Sequence, residues 1–305
     1  MKPLIIVLAL FPPNLPKQKL DIELYRLETE WKIEVKEEGI KILEEKKDIR
    51  NLEDYKERYK KFIGNFNEVG KSDLARYVVH RRSVIDLLEK LLQNDEHGMF
   101  SDEDVLHSIF FPIRSASDEI PYDKQNLWLI DERLTYHSFL ASDNKFEQIR
   151  QLQSSSSDRP DLLIYNDSLA FAEDKLAPFQ SFTIVEFKKP QRDGYLDYDS
   201  SKNPLDQVER YIKKIIEGRV VNRLGRKIKV DPKIPFYVYI VCDITSSLVE
   251  ILQSREFDKT PDGLGYFKFY SKYFNAYIEV LPFEKILSDA KKRNRILFDK
   301  LGLIQ

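Results

Sequence analysis

The chain has little cysteine and no long apolar run, and its opposite charges nearly cancel. One cysteine, Cys242, among 305 residues excludes an intrachain disulfide framework and favours a reducing compartment. No stretch approaches the roughly 20 apolar residues of a membrane-spanning helix, so we predict a cytoplasmic protein with no membrane partner. Lys and Arg number 49 against 51 Asp and Glu, so any basic surface for nucleic acid must be local.

The composition divides the chain near residue 94. Up to that point the sequence is rich in charge, and from Leu20 onward its apolar residues recur at helix-like intervals, with Ser72 a candidate N-cap. The turn-like residues 95–98 follow, and shorter elements come after them. We therefore predict a mainly helical N-terminal region, residues 1–94, and a second domain, residues 95–305.

Two stretches of the N-terminal region depart from the helical pattern. Residues 2–11 are apolar like a short signal peptide, but Pro12 and Pro13 follow at once and no small-residue cleavage site is present, so we predict a strand. Residues 22–35 alternate in places, and a strand or hairpin fits them almost as well as a helix. Both alternatives stay open for that stretch.

The second domain is predicted to have an α/β fold, because helical and strand-like segments alternate along it. The predicted elements are a strand over Pro160–Tyr165, a strand over Ser181–Lys188, a helix over Pro204–Glu217, a strand over Pro235–Asp243, an aromatic hairpin over Tyr266–Phe283 and a last helix from about Pro282. Internal repeats are not visible in this part of the sequence.

Charged residues stand at the ends of the first two of these strands. Asp161 begins the first strand, while Glu186 and Lys188 end the second, two residues apart and hence on the same face. Two carboxylates from adjacent strands can bind Mg²⁺ or Mn²⁺ while leaving positions for water and phosphate, and a nearby lysine can orient the attacking water. The alternative is that the strand simply ends there and both side chains reach solvent.

The helix that follows adds a polar pair. Gln207 and Tyr211 stand one turn apart, with Arg210 and Lys214 on overlapping faces. Coming after a P-D strand and an E-x-K strand, this pair completes a series that resembles the motifs of the PD-(D/E)XK nuclease superfamily, in the branch with a Q-x-x-x-Y motif. The resemblance implies a restriction-endonuclease-like fold, in which helices flank a central mixed sheet.

The same resemblance implies a metal-dependent hydrolysis of phosphodiester bonds, with DNA favoured over RNA. It assigns Asp161 and Glu186 as ligands of Mg²⁺ or Mn²⁺ and Lys188 as the catalytic lysine. Gln207 and Tyr211 are then expected to position the site and the nucleic-acid backbone.

One further ligand is implied by the resemblance alone. The branch uses a carboxylate from a helix before the first strand, and Glu132, within Trp128–Leu134, is our candidate for this metal-binding and catalytic role. The long separation of Asp161 from Glu186 further predicts an insertion around residues 167–180.

A second resemblance covers about Ser72 to Gln305. Its four segments are 79–82, 106–112, 126–134 and 293–298. They are similar to a module found at the C-terminal end of bacterial proteins that bear a GHKL-type ATPase domain. A role in defence against foreign nucleic acid rests on this resemblance only. The chain lacks a G-x-x-x-x-G-K-[ST] loop, so nothing in it indicates ATP binding in the same chain.

Basic residues cluster after the E-x-K strand, in a chain that is otherwise balanced. The members of this cluster are Lys189, Arg192, Lys213, Lys214, Arg219, Arg223, Arg226, Lys227 and Lys229. As contacts to nucleic acid we name Lys189, Arg192 and Lys214, together with Arg210. A solvated charged face is the equally weighted alternative.

We therefore predict a Mg²⁺-dependent nuclease. One alternative is a catalytically silent module of the same fold that binds nucleic acid. The other is an assembly module, in which the N-terminal helices contact an ATPase partner or a second copy in a homo-oligomer.

Overall fold

The structure is a computed structural model, and it does not describe every residue. The described ranges are 17–45, 52–149, 152–167, 179–195, 203–221, 227–270 and 272–302. The predicted strand at residues 2–11 and most of the predicted insertion, residues 168–178, lie outside them. The chain divides into two compact units, residues 1–79 and residues 80–305.

The first unit is built on two long helices, α1 (Lys17–Glu45) and α2 (Leu52–Leu91), the second of which continues into the next unit. The stretch 22–35, for which helix and hairpin were both open, is helical. It contains no proline or glycine to end a helix, so the 3.6-residue period of its apolar side chains prevails over the local alternation. The predicted helical N-terminal region is confirmed for these residues.

The two helices run antiparallel as a hairpin. Near its open end, Ser72 donates a hydrogen bond to Glu28 at 3.0 Å, and Lys32 forms an ion pair with Asp73. Nearer the connection, Gly39 lies against the ring of Phe62, where an added Cβ would stand only 2.9 Å from ring carbon. Glycine at position 39 therefore lets the helices approach closely.

The second unit is an α/β domain with a mixed sheet, which confirms the predicted fold class at that level. Its strands are β1 (Phe139–Ser142), β2 (Leu152–Gln153), β3 (Leu162–Asp167), β4 (Phe179–Phe187), β5 (Arg219–Val221), β6 (Lys227–Lys229), β7 (Pro235–Val241), β8 (Asp258–Lys259), β9 (Tyr266–Tyr270) and β10 (Asn275–Leu281). Seven of them form a sheet in the order β1-β3-β4-β7-β10-β9-β8, and β2-β5-β6 form a small second sheet.

Strand β4 lies inside the large sheet and is paired on both sides. It is antiparallel to β3 and parallel to β7, which is in turn parallel to β10. The predicted strands at 160–165, 181–188 and 235–243 are therefore confirmed, and so is the aromatic hairpin, formed by β9 and β10.

Helices cover both faces of this sheet. They are α3 (Glu103–Phe110), α4 (Pro204–Glu217), α5 (Ser246–Ser254) and α6 (Phe283–Lys300), with short 3-10 helices at Tyr122–Lys124, Leu127–Leu129, Glu132–Thr135 and Phe146–Gln148. Helix α4 begins as its sequence predicts, because the Asn203 side chain accepts a hydrogen bond from the Leu205 N–H and Pro204 occupies the first turn. None of the helices among the described residues has the length and apolar content needed to cross a membrane.

The two faces of β4 meet different partners. Phe182 and Ile184 point into the core that contains the apolar faces of α4 and α5. Phe187 points the other way and contacts the rings of His107 and Phe110 on α3. Side chains alternate along a strand, so Glu186 is directed toward α4.

Candidate active site

The two predicted acids, Asp161 and Glu186, lie next to each other where β3 begins and β4 ends. Leu162 pairs with Val185, so Asp161 and Glu186 are the next residues of the two antiparallel segments. The Phe187 N–H donates a hydrogen bond of 2.6 Å to Asp161 Oδ2. The pKa of Asp161 lies well above its ordinary value, because of burial first and the neighbouring charge of Glu186 second.

Lys188 completes the predicted triad. Its Nζ lies 2.8 Å from Glu186 Oε1, and each side chain is only 4% exposed. The Lys188 N–H also donates to Val241 O at the end of β7. The alternative in which Glu186 and Lys188 both reach solvent is therefore wrong, because the two charges lie buried against each other.

A third carboxylate reaches the same group from helix α3. Glu103 is the first residue of that helix, and its Oε1 lies 3.8 Å from Lys188 Nζ. Its Oε2 accepts a hydrogen bond of 3.1 Å from the Lys189 N–H. Glu103 was not among the predicted site residues, although an acid at the start of an amphipathic helix that precedes the first strand was an available signal.

Glu132, the candidate chosen for that role, does not join the group. Its two carboxylate oxygens accept hydrogen bonds of 2.7 and 2.8 Å from Arg81. Arg81 also donates to Asn294 at 3.0 Å and lies 4.4 Å over the ring of Trp128. The 3-10 helix that carries Glu132 directs it to this buried guanidinium, so Glu132, itself 40% exposed, closes an ion pair at the border of the core.

The Q-x-x-x-Y pair of α4 lies beside the acidic group. The Tyr211 hydroxyl donates to Arg159 O at 3.3 Å. Burial raises the pKa of Tyr211 most, and the charges of Glu186 and Asp161 raise it further. The carbonyl oxygen of the Gln207 side chain is buried without a hydrogen-bond partner in the structure.

The charges of the group do not balance. Burial raises the pKa of Glu186, and burial alone would lower that of Lys188, but Glu186, Glu103 and Asp161 together raise the lysine pKa. The second oxygen of Glu186, Oε2, is buried and has no hydrogen-bond partner. Three carboxylates thus surround one ammonium, and an acceptor oxygen remains unused.

This donor set fits a hard divalent cation. Carboxylate oxygens are the ligands that Mg²⁺ and Mn²⁺ prefer, and a cation would offset the excess negative charge. Asp161 and Glu186 would hold it. Among the residues that the structure describes, no three His, Cys, Asp or Glu side chains already stand at metal-binding separation, so a third protein ligand is not preformed.

The predicted nucleic-acid contacts are mostly engaged by acids. Lys189 lies 2.9 Å from Asp102, Arg192 lies 3.8 Å from Glu103, and Arg210 lies 3.0 Å from Asp158. Lys214 is exposed on α4. Of the wider basic cluster, Arg223, Arg226 and the side chains of Arg219, Lys227 and Lys229 lie outside the described part of the structure.

His107 has a structural environment close to the site. Its ring stacks on Phe187 with centroids 5.0 Å apart, and its Nε2 lies 3.0 Å from the buried hydroxyl of Ser142. Burial lowers the pKa of His107 to about 4. The imidazole is therefore neutral at physiological pH and supports the packing of α3 on β4.

No protein-family model, no curated protein and no solved structure matches this chain.

Proposed function

We propose that this chain is a metal-dependent nuclease with a restriction-endonuclease-like domain. One observation carries the proposal. A buried Glu186 with an unused oxygen lies between Asp161 and Lys188 at the ends of two adjacent strands. A buried carboxylate is costly unless something compensates it, so three acids around one lysine indicate a site built for a positive ligand.

The side chains have separate roles in this proposal. Asp161 and Glu186 hold Mg²⁺ or Mn²⁺, which when bound polarises the phosphodiester and activates water. Lys188, held against Glu186, orients the attacking water and offsets the negative charge that grows on the phosphate. Glu103 holds Lys188 and the following main chain in place, and its carboxylate is the nearest further candidate ligand.

Gln207 and Tyr211 support the site from helix α4. Tyr211 fixes the main chain at Arg159, just before Asp161, through its hydroxyl. Gln207 contributes a buried amide whose oxygen is unpaired and available for a water or a substrate group. Both residues therefore position the main chain and the substrate, and their loss is expected to lower the rate less than the loss of an acid.

Nucleic acid is the proposed substrate, with DNA favoured over RNA. Two points support it: the series of motifs resembles that of a nuclease superfamily, and the cations Lys189 and Arg192 follow Lys188 by one and four residues. Both are already held by acids, so we expect them to contact phosphates only after exchanging those partners.

Cleavage assays with matched variants test this function. The full chain is incubated with single- and double-stranded DNA and RNA, with Mg²⁺ or Mn²⁺ and with EDTA. We expect metal-dependent cleavage that Asp161→Ala and Lys188→Ala abolish, while Glu250→Gln, an exposed acid on α5, retains it. Circular dichroism confirms that each variant is folded.

Calorimetric titration with Mn²⁺ separates the outcomes. Metal binding that needs Asp161, without cleavage of any substrate, would favour the catalytically silent module. Cleavage that persists in Asp161→Ala or in EDTA would overturn the assignment of the site.

A further inference from the structure

The helical hairpin of the first unit carries more apolar surface than its own helix pair uses. Its inner face is already occupied, because Val35 and Ile42 are buried and Gly39 lies against Phe62. Besides Val79, eight other large apolar side chains of the hairpin remain 40–70% exposed: Tyr25, Ile33, Ile40, Leu43, Tyr59, Phe66, Leu74 and Tyr77.

These exposed side chains form one stripe on each helix. Ile33, Ile40 and Leu43 follow each other at spacings of seven and three residues on α1. Tyr59, Phe66 and Tyr77 lie on one side of α2, with Ile63 between the first two. With 3.6 residues per turn, each stripe stands roughly a quarter to a third of a turn clockwise from the inner face, viewed from the N-terminus of its own helix.

The two stripes share one side of the hairpin. The helices are antiparallel, so a clockwise offset on α1 and a clockwise offset on α2 point to the same side. Tyr25 also lies within 6.0 Å of the Arg76 guanidinium, which places it level with Leu74 and Tyr77. The hairpin is therefore amphipathic as a whole, and we call this side the outer apolar face.

We propose that a second copy of this chain covers the outer apolar face, so that two hairpins form an antiparallel four-helix bundle. Large apolar residues have on the order of 200 Å² of accessible surface each, so the eight partly exposed ones present on the order of 800 Å². This is about the area that one partner contributes to a stable interface of standard size.

Charge at the edges of the face selects a second copy as the occupant. Beyond the stripe of α1, on the side away from α2, lie the exposed acids Glu37 and Glu44. The matching edge of α2 carries the exposed bases Lys56 and Lys60. Over residues 37–44 of α1 and 56–60 of α2 the first edge is acidic and the second is basic, with Lys56 also paired to Glu53 of its own helix. These two segments are therefore complementary to each other across two copies.

A two-fold axis parallel to the helices would bring the complementary edges together. In this arrangement α1 of one copy packs against α2 of the other, and the two run antiparallel, as α1 and α2 do within each hairpin. Gly39 is level with Phe62, so Glu44 is level with the segment between Lys56 and Lys60. The acidic edge of each copy then meets the basic edge of its partner.

Light scattering and sedimentation velocity on the full chain test the dimer. We expect a mass twice the chain's 36.1 kDa at micromolar concentration. Ile40→Glu and Phe66→Glu should each raise the dimer dissociation constant by about 100-fold or more, because every dimer carries the change twice. Lys41→Glu places the same carboxylate one residue away, off the face, and should change the constant by less than about 3-fold.

Charge reversal tests the arrangement independently. Glu44→Lys and Lys60→Glu should each weaken the dimer by about 3- to 10-fold, and the two changes in one chain should restore it. Circular dichroism should show unchanged helicity in every variant, since all these positions are solvent-exposed in one chain.

Two results would overturn the proposal. A wild-type chain that stays monomeric at 50 µM or above would mean that another partner, such as an ATPase, occupies the face. A dimer that persists in both Ile40→Glu and Phe66→Glu would mean that copies associate through a different surface. Neither result depends on nuclease activity, so the dimer and the proposed function stand or fall separately.

Discussion

Two groups of charged side chains in the second unit, each built around a buried cation, differ in how they balance its charge. Arg81 is matched by one acid, Glu132, through two hydrogen bonds, and is further held by Asn294 and the ring of Trp128. Lys188 instead faces three acids, whose charges exceed its own. A matched pair fixes one arrangement of the packed elements around it, whereas an unmatched buried group retains the capacity to bind a positive ligand.

The largest expected contrast comes from the acid at the start of β3. Asp161→Asn keeps an acceptor for the Phe187 N–H but removes the negative charge of a proposed metal ligand, so on the proposed function cleavage should fall by about 10³-fold or more. The melting temperature should stay the same or rise, because a carboxyl group with a raised pKa destabilises the fold when it is ionised. Scanning calorimetry beside the cleavage assay checks both; activity within 10-fold of wild type would remove Asp161 from the site.

The next largest difference is expected between Glu103, the third acid found near Lys188, and Glu132, the acid that was predicted for that position. Glu103→Gln should lower the cleavage rate by about 100-fold, because Lys188 and the main chain of Lys189 lose an ionic partner. Glu132→Gln should stay within about 3-fold of wild type, since Glu132 contacts Arg81 and not Lys188. Single-turnover kinetics measure both variants, and equal effects would abolish the distinction between the groups.

Substitution of Arg81 tests how much its contacts with Glu132 and Asn294 stabilise the fold. Arg81→Ala leaves the side chain of Asn294 short of a buried partner and removes the ion pair with Glu132, so the free energy of unfolding should fall by about 2–3 kcal/mol. The ion pair of the exposed Arg114 with Asp143, which Arg159 also contacts, provides a control, for which Arg114→Ala should cost below about 0.5 kcal/mol. Urea denaturation yields these values, and the rate per folded molecule should not change in either variant.

The smallest expected effect concerns the pH dependence of stability. His107 has a pKa of about 4 in the folded protein, against an ordinary value of 6.5. Its contribution to the free energy of unfolding is therefore complete above pH 6.5 and is lost as the pH falls from 6.5 toward 4. Wild type should lose about 2 kcal/mol more stability than His107→Phe between pH 7.5 and 5. Parallel pH dependences in the two proteins would show that His107 does not titrate in this way.

The central part of the site could be predicted because its residues are close in sequence or share a strand pattern. Glu186 and Lys188 are two apart on one strand, and the pairing of that strand with the segment after Asp161 follows from two adjacent apolar runs. Helix α4 carries its own start signals at Asn203 and Pro204.

The other residues depend on long-range packing that no local pattern encodes. Glu103 and Glu132 both precede the first strand motif on helical segments with apolar neighbours, and only the docking of α3 against β4 decides between them. The partner of Glu132 is Arg81, which lies on α2, a helix that begins in the first unit. Tertiary contacts of this kind outweigh local sequence signals.

The position of Lys188 at the end of β4 has a consequence for motion. Its N–H group is hydrogen-bonded to Val241 of β7, and β4 is flanked by strands on both sides. Strands bordered in this way exchange their amide hydrogens only when much of a domain opens. In deuterium exchange, the amides from Ile184 to Lys188 should be among the slowest in the second unit, so the relative positions of Glu186 and Lys188 should survive local opening elsewhere in the domain.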